Sequence, residues 1–240
     1  MMGETPAAEA FAGHRELLFS IVYNMLGTVG DTEDVLQETW LAWAARDVTG
    51  IANPRAYLVR VAVNQALAHQ SALRRRKETY LGPWLPEPLV TGPNAAEPAV
   101  RGESVSIALL VVVTERFVAT AFGGDLPALM EMLAPDVVLW PDGGGRSAVG
   151  GPRPVRGRDK VARVVVANAR GGVDVRYHQV DGDPSVVVFA EDAPLAVMVL
   201  DLEAGGEQVR DIYVVSNPDK LGSVPGQAAE GGSEPPSRRS

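Results

Sequence analysis

The sequence predicts two folds in series, an all-α helical bundle followed by an α+β domain. Three observations carry this. Up to about Tyr80 the apolar residues recur at helical spacing between helix start and stop signals. A Pro/Gly-rich stretch, Leu81 to Pro98, then interrupts the chain. Beyond about Val100, helical segments give way to Val-rich runs separated by turn residues, the order expected of an α+β domain.

In the first part, Leu18, Ile21, Val22 and Met25 fall at i, i+3, i+4 and i+7, the spacing of one buried helical stripe, and Gly27 closes that helix. The next helix is predicted to begin at Asp31. Asp31 and Asp34 resemble a capping box, with acidic groups at the positive end of the helix dipole, and Leu36, Trp40 and Trp43 form the apolar stripe. Asn53-Pro54 is a start signal, because Asn caps and Pro is preorganised at the first helical position; the third helix runs to about Lys77. In the second part, DLPALMEMLAPDVVLW reads as a short helix ending before Pro135, then a strand, and GRDKVARVVVANAR reads as a helix. Strands are expected at Val173–Val180, Ser185–Ala190, Pro194–Glu203 and Glu207–Ser216. The boundaries are therefore a helical domain over 8–80, a linker over 81–106, an α+β domain over 107–221, and a low-complexity, disordered tail over 222–240.

Composition narrows the chemistry. With 46% hydrophobic and 22% charged residues, the chain can bury a core, which excludes disorder throughout. No cysteine is present, and His14, His69 and His178 are too few and too scattered for a zinc site, so neither a metal nor another cofactor is expected. The N-terminus lacks a basic region followed by an apolar one, and the longest apolar run, Ile107 to Val113, is far below the ~20 residues that span a bilayer. A soluble, cytoplasmic protein with no membrane partner is the expectation. A net charge of −8 opposes free-standing nucleic-acid binding unless positive charge is concentrated locally.

It is concentrated at the end of the third helix. Arg74, Arg75, Arg76 and Lys77 close a polar stripe formed by Arg60, Asn64, Leu67, Ser71 and Arg74. Favourable charge at a helix C-terminus accounts for the same four cations equally well. On the second helix Asp34, Gln37, Glu38 and Leu41 share one face opposite the tryptophans; on periodicity alone a solvated surface is the simpler reading.

The segment from Phe11 to Tyr80, with its DxEDxxQExW pattern in DTEDVLQETW, resembles domain 2 of extracytoplasmic-function sigma factors. WLPEP (Trp84, Leu85, Pro86, Glu87, Pro88), DGGGR (Asp142, Gly143, Gly144, Gly145, Arg146) and NPDKL (Asn217, Pro218, Asp219, Lys220, Leu221) sharpen the resemblance to the sigma-J-like group, whose members end in a SnoaL-like α+β cone, helices packed on a curved antiparallel sheet. Arg146 stands where that motif usually has Lys. The resemblance implies a transcription initiation factor whose partners are the RNA polymerase core and promoter DNA. Asp34, Gln37, Glu38 and Leu41 would then meet the clamp of the β′ subunit. Arg60, Asn64 and Ser71 would lie along the melted minus-ten element, with Arg74 to Lys77 on its backbone. The C-terminal domain would modulate activity in cis through the three motifs, and Trp84 is expected to dock near Asp142–Arg146 or Asn217–Leu221 rather than forgo roughly 1.5–3 kcal/mol of burial.

One departure stands out. ESVSIALLVVV, which resembles the opening of sigma domain 4, runs directly into TERFVATAFGGDLPALMEMLAPDVVLWPDGGGR, which resembles the start of the C-terminal domain. The helix-turn-helix that reads the minus-thirty-five element is missing, and Ile107 to Phe122 reads as one fused helix. Two alternatives remain at this level. The C-terminal domain could be a small-molecule isomerase or hydrolase, with a ligand as partner and Asp142, Asp174, Tyr177 and His178 as candidate polar groups; a lone Asp beside three glycines is, however, more often a turn residue. Alternatively, the chain could occupy polymerase without initiating. Non-enzymatic function is the reading taken.

Overall fold

The computed structural model describes residues 6–46, 50–93, 104–147, 151–169, 171–206 and 208–226. The chain separates into two compact units, dividing between Tyr80 and Leu81.

The first unit is helical: α1 (Pro6–Ala12), α2 (Arg15–Leu26), α3 (Val29–Ala44) and α4 (Pro54–Thr79). The line buried by α2 runs through Leu18, Val22 and Leu26 with Tyr23, at i, i+4 and i+8, so the expected Ile21 and Met25 only flank it, half-buried. Gly27 ends α2 at φ +74°, its N–H bonding the Tyr23 carbonyl, a left-handed residue that glycine adopts at least cost. Helix α3 starts two residues before the predicted Asp31. Thr28 holds the extended cap position, its hydroxyl donates to the Asp31 carboxylate, and the Thr32 hydroxyl donates 2.7 Å back to the Thr28 carbonyl. Trp43 is buried as expected, but Trp40 is only half-buried, and Val35 takes the inner position beside Leu36. Helix α4 follows the sequence signal: the Asn53 side chain accepts from the Ala56 N–H at 3.0 Å, with Pro54 in the first turn. Its buried residues are two leucines, Leu58 and Leu73, and between them two alanines, Ala62 and Ala66, and α4 packs along both α2 and α3. The short α1 was not expected from the sequence. It is seated by the Trp43 indole, which donates 2.8 Å to the Ala7 carbonyl, and by Phe11 against Trp40.

The second unit is α+β. Its elements are β1 (Val90–Pro93), α5 (Ser104–Gly123), α6 (Leu126–Met132), β2 (Leu133–Asp142), β3 (Val155–Arg156), α7 (Arg158–Asn168), β4 (Asp174–Val180), β5 (Asp183–Ala190), β6 (Ala193–Leu202) and β7 (Val209–Val215), followed by a 3-10 turn at Pro218–Lys220. The sheet order is β1-β4-β5-β6-β7-β2-β3. All pairs are antiparallel except β2 with β7, which are parallel, a mixed pairing where a purely antiparallel sheet was expected. The β4–β5 hairpin turns on Asp181-Gly182, at φ +55° and +90°, the positive angles that a two-residue hairpin turn requires and that an Asp-Gly pair supplies. Pro135 enters β2 at an irregularity in its register, and Pro141 lies beyond the two residues that pair with β3, so neither breaks a ladder on both sides.

Strand alternation gives the sheet two covered faces. On one, Leu139, Leu200 and Ile212 pack with Phe117 of α5, Leu129 of α6 and Val161 of α7. On the other, Val180, Val187, Phe189, Val197 and Val215 pack with Leu221 and Val224, and with Leu85 and Val90 from the Pro-rich segment. Val90–Pro93, assigned to the linker by sequence, is thus an edge strand, and Gly222–Gly226, assigned to the tail, begins with an anchored stretch: Ser223 donates 3.0 Å to the Pro88 carbonyl. Residues 94–103 and 227–240 lie outside the described residues. Helix α5 runs unbroken through the predicted juncture, and among the described residues no other helix stands between β1 and α6.

Candidate functional site

Two sets of predicted residues occupy different settings. In the helical unit, Asp34, Gln37 and Leu41 form an exposed face of α3, with Leu41 60% exposed despite its apolar side chain. Glu38 belongs to the same face but also reaches across to α4, 3.3 Å from His69 Nε2. On α4, Arg60, Asn64, Leu67, Ser71, Arg74 and Arg75 are exposed, because the core takes Leu58, Ala62, Ala66 and Leu73 from the other side of the helix; Lys77, one turn beyond Leu73, is exposed as well. Arg76 differs from its neighbours: both oxygens of Asp31 accept from its guanidinium, at 2.5 and 2.6 Å. It ties the end of α4 to the start of α3. Sequence reasoning missed one cluster here. The guanidinium groups of Arg60 and Arg46 lie 5.5 and 5.7 Å from the Tyr57 ring centre, and Tyr57 leans on buried Trp43 at 5.6 Å. The i, i+3 spacing of Tyr57 and Arg60 was the available signal.

In the second unit the three motifs meet. Asp142, the last residue of β2, is fully buried; the expectation that an Asp beside three glycines is a turn residue is overturned. Its carboxylate accepts from the Leu85 N–H at 2.8 Å and from the Lys220 ammonium at 2.8 Å. Lys220, 5% exposed, also donates 2.5 Å to the Leu85 carbonyl and sits 3.8 Å from the centre of the Trp84 ring. One lysine therefore neutralises the buried carboxylate, satisfies a carbonyl of the strap formed by Leu81–Pro88 and carries an aromatic face, which is how a buried charge is tolerated at all. Pro88 is buried, while Leu85 and Glu87 are half-buried and Pro86 is exposed. The remaining motif residues shape the socket. Gly144 and Gly145, at φ +59° and +72°, turn the chain after β2 so that the Arg146 N–H bonds the Gly143 carbonyl, and Arg146 then pairs with Asp219 at 2.6 Å. Asn217 caps the 3-10 turn by accepting from the Asp219 N–H, Pro218 opens it, and Leu221 closes into the core. Trp84 thus docks against the NPDKL lysine, within reach of the DGGGR aspartate, as expected.

The candidate enzyme residues do not converge. Asp142 is engaged by the strap, Asp174 pairs with Arg176 at 3.0 Å on the surface, and His178 is buried on the strap-covered face, in register with Ser185. Tyr177 faces the other way, towards α5; burial, with Glu115 adding, holds its hydroxyl pKa above the ordinary tyrosine value. Among the described residues no group of acidic or histidine side chains could hold a metal ion. No helix among them is long and apolar enough to cross a membrane.

Residues 10–79 match the family Sigma-70 region 2. The ECF RNA polymerase sigma factor SigJ of Mycobacterium tuberculosis is 30% identical over 223 residues, taking in 65% of this chain and 71% of the relative. The chain belongs to the ECF RNA polymerase sigma factors. A second relative, the probable ECF RNA polymerase sigma factor SigI of the same organism, is 23% identical over 288 residues, taking in 92% of this chain and 97% of the relative. The crystal structure of Mycobacterium tuberculosis SigJ superposes with a TM-score of 0.66 at 25% identity, covering 90% of this chain and 98% of that one. This sigma factor is thus a transcription initiation protein, with a region 2 helical unit and an α+β unit.

Proposed function

We propose that this sigma factor works in the cytoplasm, docking on the β′ clamp of core RNA polymerase through Asp34, Gln37, Glu38 and Leu41 and holding the melted minus-ten strand along Arg60, Asn64, Ser71, Arg74, Arg75 and Lys77. Arg76 contributes less to DNA because Asp31 already takes its charge. The carrying observation is that the core of the helical unit is built without these residues: α3 buries Thr32, Val35, Leu36, Thr39 and Trp43, and α4 buries Leu58, Ala62, Ala66 and Leu73. Single-strand binding of this kind combines a cationic track with side chains that accept an unstacked base. The second unit acts in cis through the Leu81–Pro88 strap and carries no catalytic activity; the scattering of its candidate acid–base groups supports that assignment.

The test is a pull-down against the β′ coiled coil. The unmutated chain is expected to bind and Asp34→Lys to fail; Asp34 is the cleaner probe because Glu38→Lys also disturbs the contact with His69. No binding by the unmutated chain overturns the proposal. No helix-turn-helix stands among the described residues, and such a motif supplies base contacts worth about 1–3 kcal/mol each. Run-off transcription should therefore depend on minus-ten sequence and ignore the minus-thirty-five element. Equal, minus-thirty-five-dependent activity from this chain and from one with a family domain 4 inserted after Val111 would contradict it.

A further inference from the structure

The helix-covered side of the sheet in the second unit is hollow. A cavity of about 150 Å³ opens between α5, α7 and the strands, walled by Phe117, Ala121, Val164, Val186, Met198 and Ile212. Phe122 and Leu195, 39% and 38% exposed, also line it and offer a way in from solvent. Its surface is almost wholly apolar. Asn168 is the one polar side chain among the lining residues, and its amide N–H is committed to the Val164 carbonyl at 2.8 Å. A water needs two to four polar partners, which this lining does not offer, whereas apolar cavities of about this size stay dry and take up benzene.

The wall continues into the strap. Leu139 and Pro141 of β2 line the cavity, and the next residue, Asp142, projects to the opposite face, where it holds the Leu85 N–H and the Lys220 ammonium. Successive strand residues face opposite sides, so one short piece of β2 is shared by cavity and clamp. We propose that the cavity is a receptor for an uncharged, single-ring apolar molecule, and that its occupancy is transmitted through Pro141 to the Asp142 clamp on the strap. Size limits the ligand to about one ring, and the lining excludes a charged one, since an ionised group placed there would be desolvated without a partner.

Toluene and benzoate are the probes, a pair that differs chiefly in charge. With the full chain carrying labelled Ile, Leu and Val methyl groups, toluene is expected to shift the Val164, Val186 and Ile212 resonances saturably, and benzoate to leave them in place. Ala121→Leu fills the space and should abolish the toluene shifts; if that variant does not fold, Val188→Ile adds a single methylene to the wall and should weaken toluene binding several-fold. No saturable shift in the unmutated chain, equal shifts from benzoate, or shifts confined to exposed Leu41, Leu67 and Leu109 would each overturn the site. The clamp is read separately, by exchange of the Leu85 amide hydrogen. Saturating toluene is expected to change that rate at least twofold, and an unchanged rate at full occupancy would overturn the link to the strap.

Discussion

The two units use their charged residues in opposite ways. In the helical unit the motif residues Asp34, Gln37, Arg60, Asn64 and Arg74 stand on the surface, and the core is assembled without them. In the α+β unit the motif residues Asp142 and Lys220 are only 0% and 5% exposed, and they hold the strap to the sheet. The contrast teaches that a cluster of short motifs has two physical origins. An exposed set is shaped by something outside the chain, and a buried set by the chain itself. Substitution should separate the two, through binding with little change in stability on one side and through stability on the other.

The largest effect is expected at the clamp. Lys220→Met strands a buried carboxylate and should cost the second unit about 3–5 kcal/mol in urea unfolding. Adding Asp142→Asn, which removes the charge but keeps an acceptor for the Leu85 N–H, should recover much of that loss. A cost below about 1 kcal/mol would mean that the pair behaves as a surface one, and the contrast would collapse. Trp84→Ala should follow at about 2 kcal/mol, from lost burial and the lost contact with the Lys220 ammonium, again by urea unfolding. In the helical unit Asn53→Ala removes the α4 cap and should cost about 1 kcal/mol, read by helical circular dichroism. Smaller still in stability, within about 0.5 kcal/mol, should be Arg74→Ala, which should instead flatten the salt dependence of single-strand DNA binding by about 0.7 in log–log slope. Arg76→Ala is expected to flatten it less, because Asp31 competes for that cation. The smallest effect is alkaline. The Tyr177 pKa is raised above 10.0 by burial and then by Glu115, so its stabilising contribution is complete below 10.0 and fades as pH climbs through the raised value. Tyr177→Phe should flatten that limb of the stability–pH curve.

Local signals carried the helices and strands well. Asn53-Pro54, Gly27 and Asp181-Gly182 each specify a backbone geometry within a few residues, and each does so in the structure. The parallel pairing of β2 with β7 was not legible, since strand direction is decided by packing across distant sequence and leaves no mark on either strand. Strand β1 was hidden for a different reason: Val-Thr-Gly-Pro is too short and too turn-like to declare itself without its β4 partner. At the site, the meeting of the three motifs followed from the family resemblance, but the chemistry that unites them did not. Nothing near Lys220 in sequence shows that its ammonium lies beneath Trp84 and against Asp142. Likewise, the run Arg74 to Lys77 reads as four equivalent cations, and only the approach of α3 singles out Arg76.

The clamp also sets an order of events during synthesis. The helical unit closes on contacts made within its own length, whereas the Lys220 ammonium must find a carboxylate 78 residues back and a strap carbonyl 135 residues back. Long-range closures come late, and a chain made from its N-terminus folds domain by domain. Region 2 can therefore complete its fold while the strap still hangs loose from an unfinished sheet, and only the arrival of NPDKL from the ribosome fastens it.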